Sequence, residues 1–208
     1  MNKSVLAAVL MSSAFGASAL TLDKMEVSNA EYVKFMESNV DTETPRYLKE
    51  YRTDFFKKSH AVRVANFREN TFNKPDHPVV GVSWYAAKAF CEWRGGRLPT
   101  RKEWIALSGA KDTTWSWGSQ WDYSMANTGG EFKSENDGFI YSAPVDSFHK
   151  GQSPTGILNL SGNVAEWTMD QKVVGGSSNS NPSGVAIQAY LKYEPEFRNF
   201  DIGFRCVQ

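Results

Sequence analysis

HPVVGVSWYAAKAFCEWRGGRLPTRKEW, residues 77–104, carries the densest local structural code in the chain. Residues 79–82 are a short apolar run that predicts a strand. Ser83 then sits where an N-cap belongs, ahead of a helix through Trp93 that carries Cys91. Gly95-Gly96 stop that helix, because glycine tolerates the left-handed conformation at a helix end. Pro99, Thr100 and Glu103 open a second helix to about Ser108, with Thr100 and Glu103 spaced as a capping box. Trp84, Phe90, Trp93 and Trp104 recur on the helix faces, where large aromatics are expected to be core.

Outward from this stretch the pattern is uneven. Upstream, Ser28 and Glu31 form another capping box, with Val27 and Tyr32 at the staple positions, and predict a helix over Asn29–Glu37. Residues 40–75 are charged, aromatic and patternless, an irregular excursion with room for one short helix at about 47–56. Beyond residue 110 glycine, asparagine, serine and aspartate dominate. So long an irregular region inside a domain is uncommon unless something pins it or it is functional. Short strands are expected only at Val173-Val174 and within residues 203–207. No internal repeat is visible.

The chain has 208 residues, 41% of them apolar and 13% aromatic, enough for a core. Its 23 basic and 23 acidic residues balance without a basic run, which argues against nucleic acid and anionic membranes as partners. The opening MNKSVLAAVLMSSAFGASA has a lysine, a short apolar run and an Ala17-Ser18-Ala19 cleavage pattern. That reads as a secretory signal over residues 1–19, followed by one domain over residues 20–208. The apolar run is too short to span a bilayer, so no membrane span is expected after its removal. An oxidising compartment would favour a disulfide between Cys91 and Cys206; two buried free thiols are the alternative. Such a bridge would close a loop of about 115 residues and stabilise by up to about 4–5 kcal/mol.

Two stretches could pin the loops with a hard cation. In NLSGNVAEW, residues 159–167, Asn159 and Glu166 offer side-chain oxygens while Gly162 turns the backbone to present carbonyls. Asn127 and Asp137 offer the same in the stretch before it. Calcium takes six to eight such oxygens, although these residue types are also ordinary turn formers. His60, His77 and His149 are scattered. No nucleophile elbow, phosphate loop or HExxH is present, so no catalytic residue is assigned from the residues themselves.

The ordered set HPVVGVSWYAAKAFCEWRGGRLPTRKEW, DGF, APV, GILNLSGNVAEWTMD, VVGGS and IGFRC, from about Glu26 to Cys206, resembles the formylglycine-generating enzyme, or sulfatase-modifying factor, family. The resemblance implies a loop-rich α+β variant of the C-type lectin-like fold with few short strands, about three helices and bound structural calcium. It implies one calcium site at Asn127, the Thr128 carbonyl, Asp137 and the Phe139 carbonyl. It implies another at Asn159, the Gly162 and Val164 carbonyls, and Glu166. The family's disulfide falls on Cys91 and Cys206.

The catalytic part of the pattern is missing. The family's copper-binding cysteines follow a Gly-Gly-Ser-Trp motif; here Ser177 matches its serine, Ser178 replaces the tryptophan and Ser180 falls near the first cysteine. Between Cys91 and Cys206 there is no cysteine, and a serine hydroxyl cannot replace a soft thiolate on Cu(I). Ala165 stands where the family has a groove tryptophan, and the hairpin that usually precedes the Glu-Val-Ser-Asn-Ala motif is largely missing. No copper is therefore expected. The resulting expectation is an exported, non-catalytic module, in the bacterial periplasm, that recognises a protein, peptide or glycan of the cell envelope. Its ligand groove would be lined by Ala165, Ser177, Ser178, Ser180, Tyr190 and Tyr193, within a 175–200 loop surface rich in adaptable polar and rigid aromatic residues. The competing expectation is an oxidoreductase that uses a metal held without cysteine.

Overall fold

In the computed structural model each long helix begins where a side chain satisfies backbone N–H groups that helical bonding leaves orphaned. Helix α1, Asn29–Glu37, starts at a reciprocal Ser28/Glu31 box, in which the Glu31 carboxylate takes the Ser28 N–H at 2.9 Å. Helix α2, Trp84–Trp93, is capped by Ser83, whose hydroxyl accepts the Ala86 N–H. It ends on Gly95 at φ 83°, with Gly95 N–H bonded to the Glu92 carbonyl and Gly96 N–H to that of Cys91. That is the Schellman arrangement, and it satisfies two terminal carbonyls. Helix α3, Arg101–Ser108, opens on the Thr100/Glu103 box. The Arg97 guanidinium grips Glu103 through two bonds of 2.7 and 2.6 Å. This bond, more than the Thr100 donors, holds the Glu103 carboxyl down at about 2.

The structure describes residues 19–38, 74–129, 138–139 and 141–208. The expected signal, apart from its last residue, and the expected helix at 47–56 lie outside the described residues. None of the described helices is long and apolar enough to cross a membrane.

Four short strands build one sheet: β1 Ala165–Trp167, β2 Lys172–Val174, β3 Tyr190–Lys192 and β4 Ile202–Gly203, in the order β3-β2-β1-β4. β1 runs antiparallel to β2 and parallel to β4, with Ala165 opposite Ile202. Residues 79–82, expected as a strand, are buried but make only an isolated bridge beside them, between Ser28 and Pro78. Gly81, at φ 73°, turns the chain out of register, and its N–H goes to the Asn199 and Ile202 carbonyls instead. The expected strand over 203–207 is likewise short; Val207 makes only isolated bridges, to Leu22 and Arg97.

Alternation along the strands divides the core between the two faces of the sheet. Ala165, Trp167, Val173 and Ile202 pack with Tyr32, Phe35, Phe90 and Phe204. Tyr32 stacks on Phe90 with centroids 5.6 Å apart, and Phe204 meets Phe90 edge-on at 5.3 Å. Val174 faces the other way, into a cluster with Trp104, Ile157, Leu160 and Ile187. Trp93 departs from the core expectation: it is 39% exposed at the last position of α2, its ring lying against Phe35 and Phe90. Cys91 and Cys206 form the disulfide, with both residues fully buried and Cα atoms 5.6 Å apart, tying α2 to the end of the chain.

Candidate functional site

The segment that follows β2 looks like a linker by composition and is folded as a wall. Gly175 and Gly176 have φ of 80° and 62°, and a Cβ on Gly176 would meet the Gly184 carbonyl and Val185. Ser177 N–H donates to the Ser180 hydroxyl at 3.0 Å, and Ser180 N–H returns to the Ser177 carbonyl at 2.9 Å. The Ser177 hydroxyl donates to Asp201 Oδ2 at 2.9 Å, and Asn179 Nδ2 approaches the same oxygen at 3.4 Å.

These bonds frame a cavity of about 170 Å³ between the loop and the sheet. Of the six residues expected to line the groove, five line this cavity: Ala165, Ser177, Ser180, Tyr190 and Tyr193. Ser178 does not. It is buried with its N–H on the Asn163 carbonyl at 2.9 Å, because the turn at Ser177 directs the next residue into the protein. The Tyr190 ring is flanked by Arg101 at 4.8 Å and Lys172 at 4.9 Å, and Tyr193 stacks on Phe197 at 4.2 Å.

Sequence reasoning missed Asp201 and Asn199, which also line the cavity. Ala165 N–H bonds to the Asp201 carbonyl at 2.9 Å, so the parallel pairing of β1 with β4 carries this carboxylate to the groove. No local motif marks it; only the partnership of two distant strands does.

The cation-ligand candidates meet in a buried amide and carboxylate network. Gly162, at φ 103°, lies so close to the Asn127 carbonyl that a Cβ there would collide with it, and so the two predicted loops abut. Asn127 Nδ2 donates to the Tyr141 carbonyl and to Asn163 Oδ1, at 2.6 and 3.1 Å. Asn159 and Asn163 each donate an amide N–H to Glu26, at 3.0 and 2.8 Å. Glu26 is 1% exposed, and burial raises its pKa to about 7 against the opposing pull of Arg205. Neither Glu26 nor Asn163 was singled out from sequence, although Glu26 lies just ahead of the α1 cap.

Glu166 is 1% exposed and already heavily engaged. Arg205 reaches its two oxygens at 2.7 and 2.8 Å, and Trp104 Nε1 donates to Oε2 at 2.8 Å. Val164 is buried beside Val80, and Phe139 lies 6.1 Å from Phe148. Asp137 lies outside the described residues. The side-chain oxygens of Asn127 and Asn159 are both buried without a hydrogen-bond partner among the described residues. A buried amide oxygen lacking a donor is costly, and a hard oxygen-seeking cation is one partner that relieves it. The residues present therefore fit calcium. Asn127 would supply a side-chain oxygen to one ion, and Asn159 and Glu166, with the Gly162 and Val164 carbonyls, would supply oxygens to another; the chemistry of each ion there would be to neutralise and cross-link the loops.

Among the described residues, no three histidine, cysteine, aspartate or glutamate side chains gather as a redox-metal site would need. His77 is buried with Nδ1 3.0 Å from the Ser142 hydroxyl, and burial holds its pKa below the ordinary value. His149 is exposed in a 3₁₀ turn, and His60 lies outside the described residues. Both cysteines are consumed by the disulfide.

Comparison with known proteins agrees with the geometry. The model of the "Sulfatase-modifying factor enzyme 1-like domain" matches residues 13–208. Bovine "Formylglycine-generating enzyme" is 32% identical over 206 residues, covering 80% of this chain and 53% of that protein. Bovine "Inactive C-alpha-formylglycine-generating enzyme 2" is 35% identical over 154 residues, covering 64% of this chain and 50% of that protein. The chain thus spans about half the length of these relatives. Among solved structures, "Treponema denticola variable protein 1" superposes with a TM-score of 0.63 at 18% identity, covering 91% of this chain and 84% of that one. PvdO from Pseudomonas aeruginosa also gives 0.63 at 18% identity, covering 89% and 78%. Both likenesses speak for the fold alone: loop-rich α+β, the family's variant of the C-type lectin-like fold. The chain belongs to the sulfatase-modifying factor family, the family of the formylglycine-generating enzymes.

Proposed function

We propose that this chain is an exported, non-catalytic member of its family that lacks the catalytic cysteines and uses the groove beside residues 175–200 to recognise a protein, peptide or glycan of the cell envelope. The observation that carries this reading is the cavity wall. Near the place where the family resemblance calls for the first thiolate, Ser180 presents a hydroxyl, beside the Ser177 hydroxyl and the Asp201 carboxylate. Such groups form hydrogen bonds and ion pairs, and they are poor ligands for Cu(I). The cavity has the mixture common in recognition sites, with Ala165 and Val173 apolar and Tyr190 and Tyr193 aromatic beside a few polar groups. A relative named as an inactive formylglycine-generating enzyme supports the view that the family scaffold persists without the oxidation. Calcium is proposed as a structural cofactor, on the strength of the orphaned Asn127 and Asn159 oxygens. The bacterial periplasm is the proposed compartment, in keeping with the disulfide.

Two measurements test this. Metal analysis of the purified chain should find calcium and no stoichiometric copper or iron; either redox metal at one equivalent, with oxygen consumption in the presence of a thiol substrate, overturns the non-catalytic reading. Cross-linked capture from an envelope fraction should recover a partner with the native groove and lose it with Ala165→Trp, which fills the cavity. Recovery undiminished by that variant places recognition elsewhere and defeats the groove assignment.

A further inference from the structure

The groove between the 175–184 loop and the sheet holds one charged side chain. Of the residues that line it, only Asp201 carries a full charge; the others offer apolar, hydroxyl or amide groups or bare glycine backbone. Its Oδ2 is already engaged, taking the Ser177 hydroxyl at 2.9 Å and Asn179 Nδ2 at 3.4 Å. Its Oδ1 accepts no hydrogen bond among the described residues and is not one of the buried orphaned oxygens, so solvent reaches it. No lysine, arginine or histidine pairs with Asp201 among the described residues. A half-buried carboxylate in a cavity wall with no cation beside it is half of an ion pair.

The walls set the size and shape of what completes the pair. The cavity, at about 170 Å³, is smaller than the roughly 300–1,000 Å³ of sites that enclose a whole small molecule, so it suits one side chain. Ala165, Val173, Leu191 and Ile202 offer apolar surface to a methylene stem. Ser180 adds a hydroxyl that accepts the Ser177 N–H and keeps a second lone pair. A hard ion such as calcium wants six or more oxygens, which these walls do not gather. Around the mouth Tyr190 and Leu191 are exposed, and exposed Phe197 stacks on Tyr193 at 4.2 Å. These are three of the seven large apolar side chains exposed among the described residues, and such a patch beside a cavity marks a protein-binding surface.

Two cationic side chains could meet a carboxylate in this way, and the bonds already made choose between them. Arginine presents a planar fork that is best matched by both oxygens of a carboxylate. Here Ser177 and Asn179 occupy Oδ2, which leaves a single open oxygen. Lysine carries a compact ammonium on a flexible four-carbon stem and needs only one such acceptor. Arg101 and Lys172 flank Tyr190 at 4.8 and 4.9 Å, and their charge disfavours a run of basic residues. We propose that the groove takes a single lysine side chain of a protein partner, its stem along Val173 and Ile202 and its ammonium on Asp201 Oδ1 and the Ser180 hydroxyl. This inference rests on the groove reading above and narrows it to a protein anchored by lysine.

Retention of heptapeptide pools on the immobilised full chain tests this. Each pool is acetylated and amidated at its ends, carries one fixed central residue and varies the other six positions among uncharged residues. The pool fixed at lysine should be retained. Pools fixed at norleucine, acetyllysine or glutamate should bind at least about tenfold more weakly, the worth of one hydrogen bond to a charged group. The arginine pool should fall below lysine. Asp201→Asn keeps an acceptor for Ser177 and should erase the advantage of lysine over norleucine, while Ala165→Trp should abolish retention of the lysine pool. If Asp201→Asn does not fold, the norleucine and acetyllysine pools on the native chain decide the matter. Pools that bind the native chain and are lost with Ala165→Trp, but show no preference for lysine over norleucine or arginine, overturn the lysine assignment and leave the groove reading standing. A lysine preference that Asp201→Asn leaves intact does the same. No retention of any pool also overturns the assignment, and capture from the envelope fraction with Ala165→Trp then judges the groove reading by itself.

Discussion

The helical end of the molecule and its loop-rich end are held by different kinds of bond. Each helix is punctuated by residues three or four positions away: Ser28 with Glu31, Ser83 with Ala86, Thr100 with Glu103. The region beyond residue 110 has local turns of its own, Asp122 with Ser124 and Ser177 with Ser180 among them, but these do not join its segments to one another. It is held by contacts that span the chain, such as Asn159 and Asn163 on Glu26, and Arg205 on Glu166. Local caps each contribute a modest increment, whereas a buried polar contact is costly to break because its partner is left unsatisfied. The loop-rich end should therefore be the more brittle of the two.

The disulfide joins the two ends, so its loss should have the largest effect. Cys91→Ala with Cys206→Ala releases a loop of 115 residues, and should cost about 4–5 kcal/mol in urea unfolding on chain-entropy reasoning. A loss below about 1 kcal/mol would mean that the remaining contacts already restrain the unfolded chain. Next comes Arg205→Met. Arg205 and Glu166 are both essentially unexposed, and removing the cation strands a buried carboxylate beside Glu26. The expected cost is about 3–5 kcal/mol, much of it recovered when Glu166→Gln is added. If Arg205→Met is instead as mild as a cap deletion, the contrast between the two ends fails.

How much was legible follows the same divide. The capping boxes, the Schellman stop after Trp93 and the small strand at Val173-Val174 could be read because their partners are neighbours in sequence. The strand expected at residues 79–82 failed for a tertiary reason: Gly81 gives its N–H to carbonyls more than a hundred residues away. The disulfide was open between two readings until family resemblance and then geometry chose one. Asp201 and Glu26 stayed invisible because nothing near either residue in sequence signals its partner. Their roles exist only once β4 lies beside β1 and the asparagine loops close over the start of α1. Trp115 and Trp117, which stack with Trp121 against them, were read as turn-rich composition, since proximity of rings depends on a turn whose anchor, Ser161, is remote.

Chelation probes the loop-rich end directly. On the calcium reading proposed above, an excess of chelator should lower the thermal midpoint. At about a hundredfold excess of ion over its dissociation constant, the stabilisation removed would be about 2.7 kcal/mol. Asn159→Ala should reduce the response to chelator as well as the stability itself, because it deletes an oxygen with no hydrogen-bond partner among the described residues. A midpoint indifferent to chelator defeats the reading. A response that Asn159→Ala leaves intact would move the ion away from this loop.

The smallest effect belongs to the helical end and can be isolated by pH. Glu103 serves both the α3 capping box and the Arg97 pair. Its folded pKa, at about 2, lies below the ordinary 4.5, first because Arg97 bonds it. A depressed carboxyl binds fewer protons folded than unfolded near pH 3, so its contribution is present above pH 4.5 and fades as pH falls toward 2. The side chains are 29% and 39% exposed, so solvent screening reduces this contribution to about 1 kcal/mol. Glu103→Gln keeps a side chain able to accept from the Thr100 N–H and removes only the charge. The variant should therefore be about 1 kcal/mol less stable than the native chain at pH 7, with the gap narrowing steadily between pH 4.5 and 2. A gap that stays constant over that range would assign the whole effect to hydrogen-bond geometry. A gap several times larger would show that this end, too, depends on a contact whose failure its neighbours cannot absorb.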